Sequence, residues 1–260
     1  MVSNPTLPIG PDRDWRWPAM SEKLQEMCKS LRLAYVANIY DQIPYESSDQ
    51  FLAAVFAEEF RLWEAAKVQR LIKKARFLDG KSLSHYQWHD QIRFPGHIDS
   101  DGLQSLSFID NRENVVLIGA PGTGKTHLAT GLGRKACEHG YEVRFFRVAE
   151  LVERLETALH QDKLAAFRKR FEKVDVIILD EMGYLPFGKE GSELLFQLIS
   201  EWYEQKSLII TSNLEFSQWN RIFVDGRLTV ALVDRLIHHA HVLSFTGESY
   251  RLTHALSKSR

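Results

Sequence analysis

Apolar residues recur along this chain in two rhythms, and the change between them divides it. From Ser21, Leu24, Met27, Cys28, Leu31, Tyr35 and Ile39 follow at helical steps of three and four. This spacing predicts a helix capped by Ser21 and closed by Pro44. A second helix is predicted after Ser47-Ser48-Asp49. It carries Leu52, Val55, Phe56, Phe60 and Trp63 on one side and runs to about Leu78, before Asp79-Gly80. Beyond residue 114 the rhythm changes. The apolar run at 115–118 and the largely apolar stretches at 174–179 and 207–211 read as strands, as do 142–147 and two short stretches at 241–245 and 250–252. The stretches at 127–139, 150–173, 193–203 and 229–239 read as helices. Strand and helix in alternation predict an α/β fold, a parallel sheet with helices on both faces. Residues 83–114, with Pro95, Gly96, Asp101 and Gly102, read as a connector. Residues 1–20, with Pro5, Pro8, Pro11 and Pro18, read as a mobile arm. The predicted organisation is therefore an arm over 1–20, a helical domain over 21–82 and an α/β domain over 83–260.

Composition narrows the class without naming a function. At 260 residues, 44% hydrophobic and 26% charged, the chain is long enough for a sizeable core and ordinary for a soluble protein. No apolar run approaches the roughly 20 residues that span a bilayer, and no signal peptide opens the chain. Cys28 and Cys137 lie far apart, as core thiols of a reducing, cytoplasmic compartment do. A formal net charge of −1 points to no partner, so only the distribution of charge is informative.

The chemistry concentrates at Gly119-Ala120-Pro121-Gly122-Thr123-Gly124-Lys125-Thr126, with His127 opening the helix behind it. Strand, glycine-rich turn and helix in that order make a phosphate cradle. The glycines let successive N–H groups turn inward, and the helix start adds unpaired donors. Lys125 can reach β- and γ-phosphates, and the Thr126 hydroxyl can ligate Mg²⁺. A nucleoside triphosphate is the implied ligand. An aromatic residue just ahead of such a loop (Tyr86, Trp88 or Phe94) can stack on a base.

A second signature is the apolar strand that delivers Asp180 and Glu181 at its C-terminal end, where doubly wound folds keep their ligands. Asp180 suits the Mg²⁺ shell, and Glu181 suits the polarisation of an attacking water. Hydrolysis is implied, because mere binding does not require Glu181. Asn213 ends a further apolar strand and can meet the γ-phosphate or the lytic water. Arg235 and Arg251, with Arg227 as a rival, offer the guanidinium that phosphoryl transfer needs.

Two basic clusters point to DNA. Arg61, Lys67, Arg70, Lys73, Lys74, Arg76 and Lys81 stand against only Glu64 and Asp79, and Lys67, Arg70 and Lys74 share one helical face. Such a face can be merely solvated, or it can make sequence-independent contacts with the phosphates of double-stranded DNA. Arg168-Lys169-Arg170 is the alternative location.

The order of these motifs resembles an AAA+ ATPase of the DnaC-like initiator group. Residues 181–186 (EMGYLP), 193–198 (ELLFQL), 210–214 (ITSNL) and 234–241 (DRLIHHAH) resemble, more narrowly, the IstB family of transposition helpers. The resemblance covers about residues 22–252 and is densest over 115–251; Met182 stands where the family often has Leu. It implies a P-loop AAA+ core behind a small all-helical N-terminal domain. It also implies Asn213 as sensor 1, Arg235 as an arginine finger acting on a neighbouring subunit's ATP, and Arg251 as sensor 2. Only nine residues follow Arg251, so a reduced or absent C-terminal lid is expected. The implied partners are ATP with Mg²⁺, duplex DNA, a transposase and further copies of the chain. ATP-dependent assembly on target DNA would recruit or stimulate the transposase, and hydrolysis would drive disassembly. A replicative helicase loader is the alternative with the same core. A GTPase would need an Asn-Lys-x-Asp base reader, which is absent, and a small-molecule kinase would need a lid and an acceptor pocket. A non-catalytic DNA-binding module would not need Lys125, Asp180 and Glu181 together.

Overall fold

The computed structural model describes residues 22–43, 47–184, 186–223 and 225–250. The expected arm, the Ser21 cap, Pro44 and Arg251 lie outside the described residues. The chain divides into two compact units, one up to Lys67 and the other from Val68.

The first unit contains α1 (Glu22–Ser30), α2 (Val36–Ile39) and the opening of α3 (Ser48–Ala75). Cys28, Val36 and Val55 form its small core, with Phe51, Leu33 and Tyr40 packed against them. Glu59 is buried there, and its carboxylate accepts the N–H groups of Ala34, Tyr35 and Val36 at 2.7, 2.7 and 2.8 Å. Three donors at a helix start satisfy a charge that would otherwise be costly to bury. Leu52, Phe56, Phe60 and Trp63, which share one side of α3, are exposed, so the core forms on the neighbouring stripe through Phe51, Val55 and Glu59.

In the second unit, β1 (Ile92–Arg93), α4 (Ser100–Gln104) and α5 (Ser107–Asp110) precede β2 (Asn114–Gly119). Then come α6 (Lys125–Glu138), β3 (Val143–Arg147), α7 (Val148–His160), α8 (Leu164–Lys169) and β4 (Val176–Met182). The remaining elements are α9 (Lys189–Trp202), β5 (Ser207–Ser212), α10 (Gly226–Ile237) and β6 (Ala240–Phe245). The strands form one sheet in the order β1-β6-β2-β5-β4-β3, parallel throughout except that β1 runs antiparallel to β6.

Side chains alternate across the sheet and feed two cores. Val116, Ile118, Ile177 and Leu179 face α7, α9 and α10, and pack with Leu151, Leu155, Leu195 and Leu198. Val115, Leu117, Val176 and Ile178 face the other side, with Leu128 and Leu132 of α6, Phe108 of α5, and Leu71 and Ala75 of α3. A strand buried on both faces carries no alternation, which is why these runs read as unbroken apolar stretches.

The connector holds more structure than its sequence predicts: β1, α4, α5 and a 3-10 turn at Leu83–His85. These elements are short, and their periods cannot develop over two to five residues. Tyr250 is helical where an extended residue is predicted. Its N–H donates to the Gly122 carbonyl at 3.0 Å, and Arg251 and Leu252 of that expected strand lie outside the described residues.

Candidate nucleotide and phosphoryl-transfer site

Gly119 closes β2, and the loop from 120 to 124 carries the chain to α6. A side chain at Gly119 would place its Cβ 2.2 Å from the Phe245 carbonyl oxygen, so the close approach of β6 demands glycine. Gly124 takes a left-handed φ of 99° as the residue capping α6, which aims the helix's first N–H groups into the loop. The Lys125 side chain folds back, and its ammonium donates to the carbonyls of Gly119 at 2.6 Å and Ala120 at 2.7 Å. Thr123 donates to the same Ala120 carbonyl at 2.8 Å. The loop's carbonyls therefore hold its cation. His127 meets the Ser82 carbonyl through Nε2 at 3.0 Å, which leaves its backbone N–H, not its ring, for the cradle.

The strand order brings the acidic pair alongside. β5 separates β2 from β4, and Thr211 of β5 bridges the gap. Asp180 Oδ1 accepts the Thr126 hydroxyl at 2.9 Å and the Thr211 hydroxyl at 2.5 Å. Asp180 is only 1% exposed, so these bonds fix its carboxylate. The Thr211 oxygen in turn accepts the N–H of Glu181 at 3.0 Å. Glu181 stands at a break in the β4–β5 register and has a positive φ of 62°, a costly conformation for a residue with a side chain. The break turns Glu181 out of the sheet toward the cavity. Arg147 Nε lies 3.6 Å from Glu181 Oε2, and both side chains are half-exposed.

Glu181 and Thr211 line one cavity of about 590 Å³, together with Pro121–His127, Tyr184, Asn213 and Tyr250. Lys81 also lines it, as do His85, Tyr86, Gln87 and His89 of the connector. The volume suits a cofactor-sized ligand. Of the sequence-predicted residues, the fold brings together the phosphate loop, Lys125, Thr126, Asp180, Glu181 and Asn213. Arg235 and Arg227 do not line this cavity. Arg235 stands on α10 with its guanidinium 5.0 Å from the Phe196 ring and a bond of 3.2 Å to the Ala231 carbonyl. Arg227 opens α10, where Asp225 accepts its N–H at 2.8 Å.

The basic residues are placed as follows. Lys67 lies over the Trp63 ring at 5.7 Å, Arg70 and Lys73 are exposed, and Lys74 stands 3.7 Å from Glu142. Arg168 is engaged by Glu201 at 2.7 Å and Gln197 at 2.8 Å. Lys169 is exposed, and Arg170 lies over Phe167 at 5.5 Å.

Sequence reasoning missed Thr211 and Arg147. Thr211 had a signal, a hydroxyl inside an otherwise apolar strand. Arg147 had none, since only the β3–β4 pairing sets it beside Glu181.

The family described as IstB-like ATP binding protein matches residues 21–258. An ATP-binding protein of insertion sequence IS5376 from Geobacillus stearothermophilus is 35% identical over 90% of this chain and 95% of its own length. That of insertion sequence IS21 from Pseudomonas aeruginosa is 36% identical over 78% and 76%. Among solved structures, AMPPCP-bound DnaA from Aquifex aeolicus superposes with a TM-score of 0.54 at 17% identity. The match covers 70% of this chain and 55% of that one. The DnaC helicase loader superposes with a TM-score of 0.51 at 22% identity, over 64% of this chain and 96% of that one. These two likenesses concern the fold alone, the parallel sheet flanked by helices that the motif order implied.

Proposed function

Because this chain belongs to the IstB-like ATP-binding family, we propose that it is an ATPase helper of insertion-sequence transposition, assembling on duplex DNA and engaging a transposase. The observation that carries the catalytic part is the Thr126–Asp180 contact of 2.9 Å on the floor of the phosphate-loop cavity. A hydroxyl and a carboxylate set side by side are hard oxygen donors of the kind Mg²⁺ selects, so the residues present fit that ion. When bound, Mg²⁺ supplies charge neutralisation on the β- and γ-phosphates.

The chain's own residues do the rest. Phosphate oxygens replace the loop carbonyls as partners of the Lys125 ammonium. Glu181, turned into the cavity, orients a water toward the γ-phosphorus and takes its proton. The water oxygen bonds to phosphorus as the bond to the β–γ bridging oxygen breaks, giving ADP and phosphate. Asn213, at the cavity edge, holds the γ-phosphate or that water. Arg235 stands away from its own subunit's cavity, which supports action on the ATP of a neighbouring subunit. ATP at the interface of a homo-oligomer then ties assembly to nucleotide state. Arg251 would contribute as sensor 2.

For DNA, Lys67, Arg70, Lys73 and Lys74 on α3 supply unspecific phosphate contacts, with Arg168-Lys169-Arg170 as the rival location. Exposed charges on a helix carry such contacts without base readout. Two buried, unpaired thiols fit a cytoplasmic setting. Among the described residues no helix is long and apolar enough to cross a membrane.

Electron microscopy of the protein with duplex DNA, with and without ATP, tests this reading together with an ATP-turnover assay. Filaments or rings on DNA that depend on ATP, and phosphate release abolished by Glu181→Gln, are expected. DNA complexes indifferent to ATP in a protein that releases no phosphate would overturn it.

A further inference from the structure

Tyr86 belongs to no catalytic motif, yet it stands in the connector against the phosphate loop and lines the cavity. It follows the 3-10 turn and is 9% exposed, and its hydroxyl is fully enclosed with no hydrogen-bond partner among the described residues. Its ring meets Trp88 edge-on at 4.9 Å and His127 edge-on at 5.1 Å. Those contacts occupy the ring, so it does not serve as a stacking platform for a base. What it has left to offer is the hydroxyl.

That hydroxyl has a defined position. A Cβ at Gly124 would lie 3.4 Å from it, an ordinary contact distance, so the phenol stands against the loop at Gly124. Gly124 caps α6, whose first N–H groups have no intrahelical acceptor. The phenol therefore stands beside a set of donors that converge on an anion. Burial also pushes its pKa well above the usual tyrosine value, which keeps it a donor at any working pH. A phenylalanine would pack identically without enclosing an unpaired polar atom. An unsatisfied hydroxyl at a ligand cavity calls for a partner that the ligand brings.

We infer that the Tyr86 hydroxyl donates a hydrogen bond to the diphosphate part of the bound nucleotide, on the Gly124 side of the cradle. The inference rests on the nucleotide-binding reading above. Gly124 belongs to the part of a phosphate loop that cradles α- and β-phosphates, whereas lysine reaches toward the γ-phosphate. Tyr86 thus contributes equally to ATP and ADP and is indifferent to the base.

The test is calorimetric titration of the full-length protein and Tyr86→Phe with ADP and with ATP, beside thermal melts without nucleotide. The affinities for ADP and ATP should fall together by about ten- to a hundred-fold, the usual effect of one hydrogen bond to a charged group. The melting temperature without nucleotide should stay level or rise, because the variant no longer encloses an unpaired hydroxyl. Affinities within about twofold of the parent overturn the proposal whatever the melting temperature does, since the hydroxyl then makes no bond to the nucleotide. Loss for ATP alone also overturns it, since the contact would then lie at the γ-phosphate. If the unaltered protein binds neither nucleotide, the nucleotide reading itself fails, and this inference falls with it.

Discussion

Thr211 donates its hydroxyl to Asp180 at 2.5 Å and accepts the N–H of Glu181 at 3.0 Å with the same oxygen. One buried side chain on β5 thereby fixes both acidic residues, orienting the first and holding the backbone break at the second. Thr211→Val keeps the volume but leaves the Glu181 N–H without this partner and Asp180 with one hydroxyl fewer. Stability should fall by about 1–3 kcal/mol, the cost of an unmade buried bond. ATP turnover should fall about ten- to a hundred-fold, while nucleotide affinity changes little. Thr211→Ser should restore most turnover, because it returns the oxygen without the methyl. If affinity collapses as far as turnover, Thr211 does more than position the pair.

Lys125 and Glu181 should separate binding from chemistry. Lys125→Ala removes the ammonium that now sits on the Gly119 and Ala120 carbonyls, and ATP binding should be lost. Glu181→Gln keeps the side chain's shape but cannot accept the proton of the attacking water. Binding should survive, with turnover down at least about a hundredfold. Equilibrium binding of a fluorescent ATP analogue beside a phosphate-release assay checks both, and equal loss of binding in the two variants would mean the roles are wrongly assigned.

The parts of this fold legible in the sequence were those with long, consistent patterns. The strand carrying Ile177 and Leu179 is buried on both faces, and the phosphate loop needs glycine at fixed positions, so both announce themselves in residue type. The helical start of the chain was legible as helices but not as a core. Leu52, Phe56, Phe60 and Trp63 share a side of α3, yet the core forms around Val55 and a buried Glu59, an arrangement that depends on where three N–H groups of another segment arrive. Within the site, the residues that carry charge or hydroxyls at motif positions were legible. Those that act through strand neighbours, Arg147 and Thr211, were hidden, because pairing across a parallel sheet leaves no local trace in sequence.

Arg235 should act in trans. Its guanidinium rests on Phe196 and lies outside the residues that line its own subunit's cavity. Arg235→Ala and Glu181→Gln should each be inactive alone. Mixed, they should regain part of the turnover, since some interfaces pair an intact Glu181 with an intact Arg235. Turnover across mixing ratios, in subunits shown to co-assemble, is the measurement. No recovery at any ratio counts against a trans finger, and recovery with Arg227→Ala in its place would transfer the role to Arg227.

Cys137 should be inert. It is fully buried near the C-terminal end of α6, and burial pushes its thiol up to about 12 from an ordinary value of 9.0. At pH 8 the folded protein then carries about a thousandfold less Cys137 thiolate than a free cysteine would. Alkylation followed by mass spectrometry should show Cys137 unmodified until the protein unfolds. The folded state holds this proton more tightly, so the thiol's contribution to stability is intact below pH 9 and is lost as pH rises toward 12. Cys137→Ala should lose that alkaline slope. Rapid labelling of the native protein would show that the helix opens.

The DNA prediction turns on which basic cluster is free to bind. Arg168 is held by Glu201 and Gln197, and Arg170 lies over Phe167, so two members of the 168–170 cluster have intramolecular partners. On α3, Arg70 and Lys73 are exposed, Lys74 is mostly exposed with a loose contact of 3.7 Å to Glu142, and Lys67 rests over Trp63. Surface pairs of that length are weak, and a phosphate readily replaces them. The α3 residues should therefore dominate. Reversing Lys67, Arg70 and Lys74 to Glu should weaken duplex binding strongly, whatever its sequence, and should flatten the log–log salt dependence by about 2 to 3. ATP binding should be retained, because none of the three lines the nucleotide cavity. Reversal of Arg168, Lys169 and Arg170 should cost less affinity and more stability, since Arg168 ties α8 to α9. Fluorescence anisotropy at several salt concentrations, beside thermal melts, separates the two. If the α3 triple reversal leaves affinity and slope unchanged, that face is a solvated surface and the duplex binds elsewhere.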